Sequence, residues 1–286
     1  MKELSEKLFS LSELARLDKP IGTLLLLWPT LSSFWLLTDG NPSFKFICIF
    51  IIGTFLMRSA GCVINDFFDR DLDGSVTRTK NRPLVKQKVT QLEALYFFTF
   101  LVSLSALLLL LLNLFSFYIA LLGLGLTVIY PLTKRFFPLP QVFLGFAFSW
   151  GIIMVSAAQL NSIPFTACLM FLACFFWIIA YDTIYAMIDK EDDLKIGIKS
   201  SAIAFGNSEN RIIILSHIFS IILWCIVGVI TNVNIPFYVS LIFVTLFTFH
   251  QYELIKNKNP ENCFKAFINN NWIGLSIFIG SILGTI

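Results

Sequence analysis

The sequence is poor in charge, in histidine and in paired cysteines, and each shortage excludes a class of protein. Charged residues make up 14% of its 286 residues, whereas a soluble domain carries about a quarter. The two histidines, His217 and His250, lie in separate apolar segments and form no metal-binding pattern. The six cysteines are scattered without a CxxC pair, so they predict core residues rather than disulfides or a zinc site. The net charge of +3 is too small to indicate a nucleic-acid partner.

The sequence is instead rich in apolar residues. Hydrophobic residues account for 57% of the chain, and the mean hydropathy is +0.79, which predicts an integral membrane protein. A membrane-spanning helix needs about 20 mainly apolar residues. On that criterion we predict a single all-α polytopic membrane domain over residues 1–286. Its nine transmembrane helices lie near 21–38, 44–64, 92–112, 114–131, 138–158, 164–187, 211–230, 235–254 and 270–286.

The first twenty residues predict an amphipathic helix at the membrane surface. Leu4, Leu8, Leu11 and Ala15 recur at helical spacing, so they share one apolar face. The segment also carries several acidic residues, which argues against a mitochondrial transit peptide.

The charged residues predict the orientation. Of the 21 lysines and arginines, 20 fall on the side reached after an even number of spans, and only Lys45 lies on the other. Because basic residues favour the cytoplasmic side, the N-terminus and the large loops are predicted to be cytoplasmic. Seventeen of the 18 acidic residues share that side, Asp39 being the exception.

Two acidic clusters each follow an apolar span. NDFFDRDLD, at 65–73, holds four carboxylates in nine residues, and YDTIYAMIDKEDD occupies 181–193. Carboxylates in contact repel each other by roughly 4 kcal/mol at an effective dielectric constant near 20, so a positive partner is expected. Three polar residues of each cluster share a helix face if the helix continues through the cluster. They are Asn65, Asp69 and Asp73 in the first cluster, and Asp182, Asp189 and Asp193 in the second.

Opposed across a cavity, these two faces would offer the oxygen ligands that Mg²⁺ prefers, and Mg²⁺ commonly joins carboxylates to substrate phosphates. The clusters therefore predict a magnesium site for a phosphate ester. An ordinary solvated loop would explain one cluster, but here two lie at the same membrane surface. Asp182 also lies about two turns inside an apolar span, where an acid costs about 2.5–3.5 kcal/mol to insert and so indicates function.

Basic and phenolic residues accompany the acids. Arg78 and Arg82 are spaced i, i+4, and Tyr130 and Lys134 have the same spacing at the end of the fourth span. Guanidinium and ammonium groups can neutralise the phosphate oxygens that a metal leaves free. These residues are therefore predicted to contact a diphosphate.

Arg58 is set apart by its depth. It lies seven residues before Asn65, on the same helix face and about two turns deeper in the membrane. A buried arginine there requires a carboxylate partner, from the protein or from the substrate.

Five segments together resemble the UbiA-type intramembrane aromatic prenyltransferases. They are RLDKPIGTLLLLWPT, NDFFDRDLD, RTKNRPL, YPLTKRFFPLPQVFLG and YDTIYAMIDKEDDLKIGIKS, which lie in order within residues 16–206. The last three spans carry no motif and agree with the family only in hydropathy. Within the family, the resemblance is strongest to the branch that prenylates 4-hydroxybenzoate in ubiquinone biosynthesis.

The resemblance implies a fold, a reaction and a set of site residues. Nine helices surround a central cavity that opens sideways to lipid for the isoprenoid tail. The substrates are polyprenyl diphosphate and 4-hydroxybenzoate, the cofactor is Mg²⁺, and no obligate protein partner is implied. The location is a bacterial inner membrane. The metal ligands would be Asn65, Asp69, Asp73, Asp189 and Asp193. Catalysis would involve Asp69, Asp73, Asp182, Asp189 and Asp193, and substrate contacts would come from Arg58, Asn65, Asp66, Arg78, Arg82, Tyr130 and Lys134.

Other functions stay open at this point. A related transferase could act on dihydroxynaphthoate or haem instead. A secondary cation transporter could also carry acid-lined sites, although such sites usually lie near the bilayer midplane on broken helices. The prenyl chain length is not predicted, because it depends on the shape of the cavity.

Overall fold

The computed structural model describes residues 2–286, and no strand occurs within them. The helices are α1 (Lys2–Leu14), α2 (Ile21–Leu37), α3 (Phe44–Asp73), α4 (Gln91–Leu109), α5 (Leu114–Thr133), α6 (Pro140–Leu160), α7 (Phe165–Ile196), α8 (Ser201–Phe205), α9 (Glu209–Ile230), α10 (Ile235–Ile255) and α11 (Pro260–Thr285). Eight of the described helices are long and apolar enough to cross a membrane, and α2 is a shorter apolar helix of 17 residues. The predicted all-α fold is confirmed, and nine spans agree with it when α2 is included.

Three helices extend further into polar sequence than hydropathy predicts. Helix α3 runs through the first acidic cluster to Asp73, and α7 runs through the second to Ile196. Helix α11 begins at Pro260, well before the predicted start at residue 270. A hydropathy window detects only the apolar part of a helix, whereas the backbone hydrogen bonds continue beyond it. Gly197 follows the last residue of α7 and ends the helix, with a φ of 73° in the left-handed conformation that glycine adopts readily.

The N-terminal helix packs against the bundle on one side. Leu14 is fully buried in a cluster with residues of α3 and α4, whereas Leu8 is 59% exposed. Met1 and the side chain of Leu4, which belong to the predicted surface helix, lie outside the described residues. Exposed apolar residues such as Leu8 suit the interfacial position predicted for this segment.

The long helices close into a ring. Helix α2 packs against α3, and contacts then pass from α3 through α5, α6, α7, α9 and α10 to α11, which packs back on α2. Helix α4 lies outside the ring against α3. The outer surface is apolar: Leu110 and Ile235, for example, are 79% and 78% exposed. Such a surface fits a lipid environment. Contacts also cross the ring, because α2 packs against α6 and α7 packs against α11, so its interior is partly filled by side chains.

Candidate active site

A cavity of about 1170 Å³ lies among the helices, and its charged end, called the mouth below, is where α3 and α7 carry their acidic residues. Its lining comes from α2, α3, α4, α5, α6, α7 and α11, with further residues from α1 and from the segments before α2, after α3 and after α7. All twelve site residues proposed from the sequence line it: Arg58, Asn65, Asp66, Asp69, Asp73, Arg78, Arg82, Tyr130, Lys134, Asp182, Asp189 and Asp193. The structure therefore brings the two acidic clusters and their basic companions into one space.

Asp69 is the centre of the first cluster. Its Oδ2 accepts hydrogen bonds from Lys134 Nζ at 2.7 Å and from Asn65 Nδ2 at 3.1 Å. Its other oxygen, Oδ1, is buried and has no hydrogen-bond partner among the described residues. Burial alone would lower the pKa of Lys134, but the Asp69 carboxylate outweighs burial and raises it, so the lysine stays charged.

Asp66 is 1% exposed and lies between two arginines. Arg16 donates to both of its carboxylate oxygens, at 2.9 and 2.7 Å, and Arg82 approaches to 3.0 Å. Arg82 also pairs with Asp73, at the end of α3. Burial would lower the pKa of Arg82, but the carboxylates of Asp66 and Asp73 outweigh it and raise that pKa. Asp66 therefore links the segment before α2, which carries Arg16, to the segment after α3, which carries Arg82.

Arg16 was not among the predicted site residues, although it lines the cavity. It stands in a left-handed conformation with φ of 59°, and its Nη1 donates to the carbonyl of Glu13 near the end of α1. The RLDKPIG segment contains it, but nothing in its spacing points to Asp66, which follows 50 residues later.

The second cluster faces the first through Arg78. The guanidinium of Arg78 pairs with Asp189, and its carbon lies 4.5 Å from the centre of the Tyr185 ring. Asp192, which was not predicted as a site residue, accepts from the backbone N–H of Thr77 at 2.9 Å and so ties α7 to the same segment. Asp193 is buried and has no ion-pair partner within residues 2–286. The segment that follows α3 therefore forms the bridge between the clusters.

Arg58 lies in the cavity without a carboxylate partner among the described residues. Its Nη1 donates to Cys62 Sγ at 2.6 Å, and the guanidinium carbon lies 5.6 Å from the centre of the Phe148 ring. Its Nε is buried and makes no hydrogen bond. A Cβ on Gly22 of α2 would overlap the guanidinium, so the glycine leaves the room that Arg58 occupies.

The fit of a divalent cation depends on the carboxylates. Within the described residues, no three acidic, histidine or cysteine side chains converge closely enough to hold a metal ion, because lysine and arginine lie between the acids. The donors are nonetheless the oxygen ligands that Mg²⁺ prefers. The unpartnered Oδ1 of Asp69 and the unpaired carboxylate of Asp193 are available to such an ion. The side chains are therefore of the type that binds this cation, but the described residues do not form a complete set of ligands around one point.

The model of the UbiA prenyltransferase family matches residues 26–281, which include both acidic clusters. The chain belongs to this family. UbiA relatives named 4-hydroxybenzoate octaprenyltransferase include one from Tolumonas auensis, 49% identical over 95% of this chain and 95% of the relative. Another, from Histophilus somni, is 47% identical over 98% of both chains.

Solved UbiA structures share the fold. A UbiA homologue from Aeropyrum pernix superposes with a TM-score of 0.78 at 21% identity, over 90% of this chain and 96% of that one. A UbiA homologue from Archaeoglobus fulgidus bound to GPP and Mg²⁺ gives a TM-score of 0.73 at 19% identity, over 94% and 99% of the two chains. At these identities the likeness supports the UbiA fold alone.

Proposed function

We propose that this protein transfers a polyprenyl group from polyprenyl diphosphate to the ring carbon ortho to the hydroxyl of 4-hydroxybenzoate, releasing diphosphate. The reaction would serve ubiquinone biosynthesis and require Mg²⁺. The proposal agrees with the names of the relatives that are 47–49% identical over nearly the full chain. The observation that carries it is the division of one cavity into a charged mouth, with both acidic clusters, and a deeper position where Arg58 lacks a carboxylate partner.

The diphosphate binds at the mouth. Arg78 and Arg82 use only part of their five N–H donors on protein carboxylates. The remaining donors have no acceptor among the described residues, so they can bind phosphate oxygens. Lys134 and Tyr130 reach the same space from the end of α5. Asn65, Asp69, Asp73, Asp189 and Asp193 would hold magnesium, which when bound neutralises charge on the leaving diphosphate.

The acceptor binds deeper. The carboxylate of 4-hydroxybenzoate supplies the partner that Arg58 lacks, since a guanidinium and a carboxylate form charge-assisted, bidentate hydrogen bonds. Phe148 lies against the same guanidinium and offers an apolar surface for the benzene ring. The ring is thereby held below the diphosphate, with its reactive carbon towards the allylic end of the donor.

The reaction is an electrophilic aromatic substitution. The bond between the allylic carbon and the diphosphate oxygen breaks, and its electron pair leaves with the diphosphate, stabilised by Arg78, Arg82 and Lys134. The ring carbon ortho to the hydroxyl then forms a bond to the allylic carbon and loses its proton. Asp182 lines the cavity two turns from Asp189 and has no ion-pair partner among the described residues, so it is placed to accept that proton.

The prenyl tail leaves the cavity towards lipid. Phe264, Ile268 and Trp272 of α11 line the cavity and are 44%, 41% and 51% exposed. The wall that α11 forms beside α2 is therefore apolar, and we infer that it opens to lipid there. An isoprenoid chain can extend through it into the bilayer, while the apolar lining protects the allylic cation from water.

The orientation follows from the distribution of charge. With 20 of 21 basic residues on one side, we place the N-terminus, both acidic clusters and the cavity mouth on the cytoplasmic face of a bacterial inner membrane. The diphosphate and the aromatic acid, both charged, would enter from that side.

The test is a substrate panel. Purified protein in detergent with Mg²⁺ should convert octaprenyl diphosphate and 4-hydroxybenzoate to a product whose mass is that of the prenylated acid. Dihydroxynaphthoate and haem, the acceptors of the alternative transferases, should give no product. Turnover of either one in place of 4-hydroxybenzoate would refute the acceptor. Absence of product from every acceptor would refute the prenyl transfer.

A further inference from the structure

Lys199 was not among the predicted site residues, although it lines the cavity beside the second acidic cluster. It lies in the loop that follows α7, where the left-handed Gly197 turns the chain. The backbone N–H of Ile198 donates to the carbonyl of Asp193 at 3.1 Å, so the start of this loop is fixed to the end of α7. Lys199 is exposed, and it forms no ion pair with a carboxylate of the described residues.

Both hydrogen bonds that Lys199 donates go to the end of α5. Its backbone N–H donates to the carbonyl of Lys134 at 3.2 Å, and its Nζ donates to the carbonyl of Phe136 at 2.8 Å. The carbonyls at a helix C-terminus have no partner within the helix, and a cation there also complements the negative end of the helix dipole. Helix α5 has no basic residue in its own last turn. Lys199 therefore supplies that cation from another segment.

The other contacts of this helix end are with α3. Helix α5 packs mainly against α6 and α3. The Nζ of Lys134 donates to Asp69 at 2.7 Å, and Arg135 Nη2 donates to the carbonyl of Phe68 at 2.6 Å, so both side chains hold the end of α5 to α3. The contacts of Lys199 hold the same end to the loop after α7. Lys134 is thus held from both sides.

These contacts form a second bridge between the acidic clusters, in addition to Arg78. The bridge begins at Asp69 of the first cluster, which binds the side chain of Lys134. It continues from the carbonyl of Lys134 to the backbone of Lys199, and the preceding residue of the loop joins it to Asp193 of the second cluster. A diphosphate that is held by both clusters needs its cationic partners at fixed positions. Movement of the α5 end would displace the Lys134 ammonium group from the phosphate oxygens.

We propose that Lys199 is a positioning residue for the diphosphate: its ammonium group holds the end of α5, which places the Lys134 ammonium group between the acidic clusters. The proposal rests on the proposed function and adds to it a residue that acts through Lys134. Loss of the Lys199 donor leaves the charge of Lys134 intact but lets the end of α5 move. Binding of the diphosphate should therefore weaken, whereas binding of the acceptor at Arg58, deeper in the cavity, should not.

The experiment measures the dissociation constant of inorganic diphosphate in the presence of Mg²⁺, by calorimetry on the full chain in detergent. This probe has no isoprenoid chain and needs no acceptor, so it reports on the charged mouth alone. Lys199→Met keeps an apolar stem but removes the donor, and it should raise this constant two- to tenfold, the range for one hydrogen bond. Lys199→Arg keeps a cationic donor for the helix end and should stay close to the wild type. KM for 4-hydroxybenzoate should be the same in all three proteins.

The matched control is Lys256→Met, which makes the same change of charge at another helix end. Lys256 is exposed, follows α10 and does not line the cavity. The substitution should leave both the dissociation constant of diphosphate and KM for 4-hydroxybenzoate unchanged.

A double variant distinguishes positioning from direct contact. If Lys199 acts through Lys134, adding Lys199→Met to Lys134→Gln should weaken diphosphate binding no further. A second loss as large as that in the single variant would mean that Lys199 touches the diphosphate itself, and would refute the positioning role. If Lys134→Gln does not fold, because Asp69 loses its buried partner, the salt dependence of Lys199→Met decides. The ratio to the wild type should persist at high salt if Lys199 binds a carbonyl, whereas screening would remove it if Lys199 bound phosphate.

The outcomes separate this inference from the function on which it rests. If wild-type protein binds diphosphate but forms no product from 4-hydroxybenzoate, the proposed function fails, and the binding comparison still tests Lys199. An unchanged dissociation constant in Lys199→Met would refute the role of Lys199. An equal rise in KM for 4-hydroxybenzoate would also refute it, since a general loosening of the bundle would then explain both changes. A similar rise in Lys256→Met would trace the effect to net charge alone and refute it as well.

Discussion

Removal of Arg58 tests the acceptor end of the cavity. The guanidinium has no carboxylate partner among the described residues, its Nε is buried without a hydrogen bond, and Cys62 and Phe148 are its main contacts. Arg58→Ala therefore breaks no ion pair among the described residues, and the protein should still fold. A charge-assisted hydrogen bond to the substrate contributes about 1.5–3 kcal/mol, which corresponds to roughly a ten- to hundredfold rise in KM for 4-hydroxybenzoate. KM for the prenyl diphosphate should change much less.

Two further variants isolate the geometry from the charge. Arg58→Lys keeps the charge but lacks the planar guanidinium, so its KM for 4-hydroxybenzoate should lie between those of the wild type and Arg58→Ala. Gly22→Ala places a methyl group against the guanidinium and shifts it, so KM for the acceptor should rise although every charge remains. The assay is steady-state kinetics in detergent with each substrate varied in turn. A loss of prenyl diphosphate affinity with unchanged acceptor affinity would refute the reasoning and place Arg58 with the diphosphate-binding residues.

Three other perturbations address the metal, the orientation and the stability of the fold. Asp69→Asn should lower kcat by orders of magnitude while the protein still folds, although loss of the buried pair with Lys134 should lower its thermal midpoint. Chelation of Mg²⁺ in the wild type should lower kcat as strongly, and full activity in either case would contradict the metal site. In a cysteine-free background, Asn41→Cys should react with an impermeant maleimide in intact cells, and Lys80→Cys only after permeabilisation; the reverse pattern would invert the topology. Glu209→Gln should lower the thermal midpoint by several degrees, because Glu209 is fully buried and pairs with Lys190 at 2.8 Å and with Lys258 at 3.1 Å. An unchanged midpoint would show that these two pairs add no stability.

The sequence predicts the helical faces of the site because helical periodicity is a local property. Asn65, Asp69 and Asp73 recur every four residues, and α3 does continue through them, so the face exists as predicted. The hydropathy profile likewise locates the spans, since the cost of burying polar backbone and side chains in lipid depends mainly on local composition. The same reasoning explains the errors at helix ends. The ends of α3 and α7 and the start of α11 lie in polar sequence, where hydropathy gives no signal.

Contacts between distant segments could not be predicted in this way. Arg16 meets Asp66 across 50 residues, and Trp28 meets Asn271 across 243. Periodicity tells which side chains share a face, but the ring closure of α11 on α2 decides which faces meet. Arg16, which precedes a span, and Asn271, one of three consecutive asparagines, therefore carry no signal in the sequence, because only the packing shows which residues they meet.

The structure also answers why four carboxylates can be crowded at the end of α3. Asp66 is neutralised by Arg16 and Arg82, and Asp71 points outward, 74% exposed, so its repulsion is screened by solvent. Asp69 and Asp73 each meet one basic side chain, and Asp69 keeps a buried oxygen without a partner. The cluster is therefore not uniform. Because Asp66 is already paired with two arginines, we propose that its carboxylate positions them for the diphosphate. We also propose that the cation binds at the Asp69 oxygen that has no partner among the described residues.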